Sequence, residues 1–188
     1  LTTAGTFSAN SNVEEYVLLA AGGSIITLTD AGQSVTTGAD SADTIDVAAL
    51  TATGTFNTVA ADIIKIGNNG NIAGVNGEGN GAGAAFTATN VTANGNATMT
   101  RLQNNSFTGT KTITGTNTFT ISTIGAITAL TGVDTYQLSA GTNTITLAEA
   151  GQNVTAENHA GAAGLVTINT GTLTSVTGTM TSAGNDTM

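Results

Sequence analysis

Residues 13–36 read VEEYVLLAAGGSIITLTDAGQSVT, and 120 positions after Val13 the chain reads VDTYQLSAGTNTITLAEAGQNVT. Val13, Glu14, Tyr16 and Leu18 lie opposite Val133, Asp134, Tyr136 and Leu138. After a one-residue gap, Ile26, Thr27, Leu28, Ala31, Gly32, Gln33, Val35 and Thr36 lie opposite Ile145, Thr146, Leu147, Ala150, Gly151, Gln152, Val154 and Thr155. The match runs back to the first residues, with Leu1, Thr3, Gly5 and Phe7 opposite Ile121, Thr123, Gly125 and Ile127. Repeats stack so that neighbouring units bury a shared core. A period this long exceeds one solenoid turn, so the unit is expected to contain several turns or hairpins. It divides the chain into a first unit at 1–120 and a partial second copy at 121–188. The start at Leu1 without an initiator Met or signal-peptide pattern, and a second copy that runs out at Met188, read as a piece of a longer array.

Within the unit the local period is two. From Thr108 to Thr120 every even position is Thr, while the odd ones run Gly109, Lys111, Ile113, Gly115, Asn117 and Phe119. Such alternation is a strand signal, with a threonine ladder on one face. Thr-Gly-Thr triplets at Thr53–Thr55, Thr108–Thr110, Thr114–Thr116 and Thr177–Thr179 mark corners where glycine lets backbones approach. The chain has no proline, which suits strands that must donate to a ladder on both sides. A helix fits only at 13–21, whose counterpart VDTYQLSAG reads as strand, so both are taken as strand or irregular. The glycine-rich run from Gly67 to Ala85 is expected to be a loop or a set of tight corners. The fold class is all-β, a β-solenoid or stacked β-strand repeat, with a β-sandwich as the alternative.

Composition narrows function by exclusion. Charged residues are 8% of the chain, and Lys65, Arg101 and Lys111 face twelve acidic residues for a net charge of −9. That field repels nucleic acid and anionic membranes. No apolar run is long enough for a membrane-spanning helix, so direct membrane insertion is not expected. Cysteine is absent and His159 is the only histidine, which removes zinc–thiolate sites and any Cys–His pair. The glycines of 67–83 lack the Gly-Lys-Ser/Thr ending of a phosphate loop. The chain is therefore not expected to be an enzyme.

The tail Gly184-Asn185-Asp186-Thr187-Met188 and the stretch Thr37–Asp46 resemble the calcium-binding nonapeptide of RTX proteins, G-G-x-G-x-D-x-U-x. That resemblance implies Ca²⁺ as a cofactor, with Asp40, Asp43, Asp46 and Asp186 as ligands; otherwise they are solvated turn residues. The wider texture, rich in Thr, Ala, Gly and Asn and built on V-E-x-Y-x-L…T-L-x-D-A-G-Q-x-V-T, resembles bacterial type I secreted surface proteins such as S-layer proteins and giant adhesins. It implies an extracellular or cell-surface structural protein that polymerises with copies of itself. The alternatives are a segment of a calcium-dependent adhesin and an ice-binding solenoid. Self-association would use Tyr16 and Tyr136, which hold one repeat position, and the ladder Thr108, Thr110, Thr112, Thr114, Thr116, Thr118 and Thr120. The other reading of the tyrosines is a core anchor with a bonded hydroxyl.

Overall fold

The computed structural model describes residues 1–20, 22–39, 42–77, 86–156, 165–173 and 178–181. They form a parallel β-solenoid of about eight turns. Strands are numbered in chain order. One face stacks β1 (Thr6–Ser8), β3 (Ile25–Thr27), β5 (Thr44–Asp46), β7 (Ile63–Ile66), β9 (Asn90–Asn94) and β11 (Lys111–Thr114). A second stacks β8 (Gly70–Asn71), β10 (Ala97–Met99), β12 (Thr118–Ile121), β14 (Thr135–Leu138), β16 (Asn153–Ala156) and β18 (Met180–Thr181). A third holds β2 (Glu15–Leu18), β4 (Ser34–Thr37) and β6 (Phe56–Asn57), and later β13 (Gly125–Thr128), β15 (Asn143–Thr146) and β17 (Val166–Asn169). Every described strand pair is parallel, which an antiparallel sandwich would not give.

Between β6 and β13 the third face is carried by other elements. Asn76 reaches back to β6, its Oδ1 accepting from Phe56 N at 2.8 Å. A short helix, α1 (Arg101–Ser106), then lies against β13, where Asn105 Nδ2 donates to Ala126 O and Asn104 Nδ2 to Thr128 O. The first turns thus use the first and third faces, and the last turns use the third and second. The two copies of the repeat occupy different faces as a result. β1 and β3 lie on the first face, but their counterparts β13 and β15 lie on the third.

Strand alternation builds the core. Ile26, Ile45, Ile64 and Val91 stand in register on successive turns, each at most 1% exposed. Burying each such side chain is worth about 1.5–3 kcal/mol, and one apolar cluster runs from Ala9 to Val166. The boundary at 120/121 falls inside β12, so the sequence repeat is not a break in the stack.

Three expectations need correction. The stretch from Thr108 to Thr120 is two strands, β11 and β12, on two faces. Gly115, at φ +75°, turns the chain between them, and the amide of Asn117 donates to Gly115 O. The glycine-rich run contains β8, where a Cβ on Gly70 would stand 2.6 Å from Ala48 O; only glycine lets this strand approach. Residues 78–85 lie outside the described ones. The helix is at α1, where Thr100 and Gln103 form a reciprocal capping box, while 13–21 contains β2.

Candidate functional site

The most elaborate local structure is the corner that follows the repeated Ala-Gly-Gln. The Gln33 carbonyl oxygen accepts from Thr29 N at 2.9 Å and Asp30 N at 3.1 Å. Its amide nitrogen donates to Asn10 O at 2.9 Å and Val13 O at 3.1 Å, one turn earlier. Gln152 repeats the pattern, accepting from Ala148 N and Glu149 N and donating to Leu130 O at 2.8 Å and Val133 O at 3.1 Å. Both side chains are buried, and each satisfies backbone groups of two turns at once. Above each corner sits a glycine, Gly54 or Gly178, on which a Cβ would overlap the backbone oxygen of Gln33 or Gln152. These are two of the predicted Thr-Gly-Thr corners. A third corner was not visible in the repeat: Gln103 Nε2 donates to Ile72 O at 2.8 Å and Val75 O at 3.4 Å.

The tyrosines share one bond and differ in setting. Tyr16 Oη accepts from Asn10 N, and Tyr136 Oη accepts from Leu130 N at 2.7 Å, in each case six residues back. Tyr136 is fully buried, edge-on to Phe119 at 6.3 Å, and burial raises its pKa well beyond the ordinary tyrosine range. Its position is that of a core anchor. Tyr16 is half-buried in the first turn. In the threonine series, Thr108, Thr110, Thr112, Thr114 and Thr116 are exposed, while Thr118 and Thr120 are half-buried on the second face.

Asp43 and Asp62 form a stack with Ser24. Ser24 N donates to Asp43 Oδ1 at 2.7 Å, and Asp43 N donates to Asp62 Oδ1 at 2.9 Å, each step spanning 19 residues. Asp62 Oδ2 also accepts from Thr37 Oγ1 at 2.6 Å and Val59 N at 2.7 Å. Burial raises the Asp62 pKa despite these donors, and the neighbouring Asp43 carboxylate adds to the rise. Asp46 pairs with Lys65 Nζ at 2.7 Å and accepts from Ala48 N at 2.9 Å. Asp43 and Asp46 are both buried, so neither is a solvated turn residue. Three positions apart along a strand, their side chains leave opposite faces of the sheet. Asp40, Asp186 and His159 lie outside the described residues.

The cations are also engaged in holding the backbone. Arg101 Nε donates to Ile124 O at 2.9 Å, and Lys111 Nζ to Gly109 O at 2.8 Å. An open hollow of about 680 Å³ lies beside the Gln33 corner, with Glu14, Glu15 and Asp30 among its lining residues. Among the described residues no three His, Asp or Glu side chains are grouped to hold a metal ion, and no helix is long and apolar enough to cross a membrane. What the arrangement does chemically is tie one turn to the next. Asp62 and the 19-residue step were missed in the sequence, although Ser24-Ile25-Ile26, Asp43-Thr44-Ile45 and Asp62-Ile63-Ile64 carry that signal. No family model matches the chain, and no curated protein or solved structure matches it.

Proposed function

We propose that this is an extracellular structural protein, not an enzyme, that assembles with copies of itself into a filament, sheath or surface layer. The observation that carries the reading is a Thr-rich surface with few charges, on which Thr108, Thr110, Thr112, Thr114 and Thr116 lie exposed along one stretch. Those hydroxyls can donate and accept hydrogen bonds across a contact with a second copy.

The test is negative-stain microscopy of the purified chain with calcium and with chelator. Filaments or sheets in both conditions are the expected result. Assembly that dissolves in chelator would favour the calcium-dependent adhesin instead. Monodisperse particles in both conditions would sink the reading.

A further inference from the structure

The second face carries one chemistry on its outside. Along β10, β12, β14 and β16 buried and half-buried positions alternate, so one set points into the core and the other outward. The outward set forms two columns, with Thr118, Thr135 and Asn153 in one and Thr98, Thr120, Gln137 and Thr155 in the other. All seven are hydroxyl or amide side chains, and none is ionisable. The outward positions of the first face are mixed, with Ile25, Asp46, Ile63 and Lys65 among them. The longer column steps through the sequence by 22, 17 and 18 residues, so no fixed period announces it, and strand register alone brings it into line. Beneath the columns Phe119, Tyr136 and Val154 stand in register and buried, and a close-packed core of this kind keeps the sheet above it rigid.

Neighbours within a column stand about 4.8 Å apart, one strand spacing, and the columns about 6.6 Å apart, two residues along a strand. Thr120 Oγ1 reaches Gln137 Oε1 only at 3.5 Å, and the hydroxyls of Thr98, Thr118, Thr135 and Thr155 have no hydrogen-bond partner among the described residues. Each can donate one hydrogen bond and accept two. The outcome is a neutral grid, periodic in two directions, that donates and accepts at its nodes. A protein partner is a poor match, because four strands by four residues cover roughly 250 Å², against about 800 Å² per partner in a stable interface. A sugar surface is a poor match too, since the aromatic rings of this sheet, Phe119 and Tyr136, are buried and offer no stacking platform. Ice is neutral, donates and accepts at every oxygen, and repeats in two directions at spacings near these. We infer that the second face binds ice, its seven outward side chains holding water in lattice positions. This activity belongs to a single molecule and does not rest on self-assembly.

Nanolitre osmometry of the wild-type chain, with microscopy of the growing crystal, reads thermal hysteresis and crystal shape. The wild type should hold freezing below melting and facet the crystal. Thr120→Lys, at the centre of the grid, sets a compact, strongly hydrated charge among the lattice waters and should lose most of the hysteresis. Thr27→Lys makes the same change on the outside of the first face and should keep it. Circular dichroism checks that both variants are folded, and Thr135→Lys supplies a second grid variant should Thr120→Lys lose its fold. A wild-type chain that neither delays freezing nor shapes the crystal would overturn the inference. Hysteresis kept by the folded grid variants, or lost equally in Thr27→Lys, would overturn it as well.

Discussion

The two copies of the repeat build the same corner and differ in what surrounds it. Gln33 and Gln152 are each 2% exposed and make the same four backbone bonds, so this geometry is written into the repeat itself. Tyr16 and Tyr136 each accept from the backbone six residues back, yet only Tyr136 has Phe119 and α1 beneath it. Burial is therefore supplied by the neighbouring turn rather than by the unit. In a solenoid, local hydrogen bonds are a property of the repeat, and core energy is a property of the stack.

The tyrosines give that distinction its largest test. Tyr136→Ala removes a sealed ring and should cost about 3–5 kcal/mol, while Tyr16→Ala should cost no more than about 2 kcal/mol. Urea denaturation of the two variants measures the difference, and equal losses would mean that the end turn is already covered. The glutamines should behave in the opposite way. Gln33→Ala and Gln152→Ala each orphan backbone groups of two turns, so both should lose about 1–3 kcal/mol by similar amounts. A much smaller loss at Gln33 would show that the first corner is open to water.

The copies differ also in the residue that opens the inner stack. The first unit uses the carboxylates Asp43 and Asp62, whereas Asn143 in the second accepts from Gly125 N at 3.0 Å with a neutral amide. Asp62 has its pKa raised above the ordinary 3.8 by burial. Below that value both folded and unfolded chains hold the proton; above it the unfolded chain releases the proton first. The Asp62 contribution therefore falls as pH climbs from 3.8 through the raised folded pKa, and is constant beyond it. This slope is opposite to that of a salt-bridged carboxylate. Hydrogen exchange across this range should show protection around β5 and β7 falling as pH rises, after correction for the intrinsic rate, with no such fall at β15. Asp62→Asn should flatten the trend, and a trend unchanged in that variant would assign it elsewhere.

How much of this was legible depended on which feature repeats. The solenoid could be read from alternation and from the long repeat, because buried positions such as Ile26 and Ile145 keep their type. The turn length was hidden because corners accept insertions: register partners are 19 residues apart at Asp43 and Asp62, but 17 at Asn117 and Asp134. The Gln103 corner was hidden for a different reason. Its glutamine sits in a helix, so neighbouring residues do not match Ala-Gly-Gln, although Thr100-x-x-Gln103 is a capping signature. Around residue 43 the residue types carried the resemblance to a calcium motif, while the 19-residue spacing of Asp43 and Asp62, which joins successive turns, went unread.

The smallest expected effect separates two tasks of one carboxylate in the first unit. Asp46 Oδ2 meets Lys65, which is 47% exposed, and Oδ1 accepts from Ala48 N. Ala48 has φ +51°, a left-handed conformation that a non-glycine residue adopts at a cost and that the Asp46 side chain holds by its bond two residues on. An ion pair with one partner this open is screened by water and salt, so Lys65→Met should cost only about 0–1 kcal/mol, and less at high salt. Asp46→Asn keeps an acceptor for Ala48 and should cost about as little, whereas Asp46→Ala also releases the turn and should cost about 1 kcal/mol more. Urea midpoints at low and high salt distinguish these terms. A salt-insensitive loss in Lys65→Met as large as that in Asp46→Ala would mean that the pair, rather than the turn, holds β5 against β7.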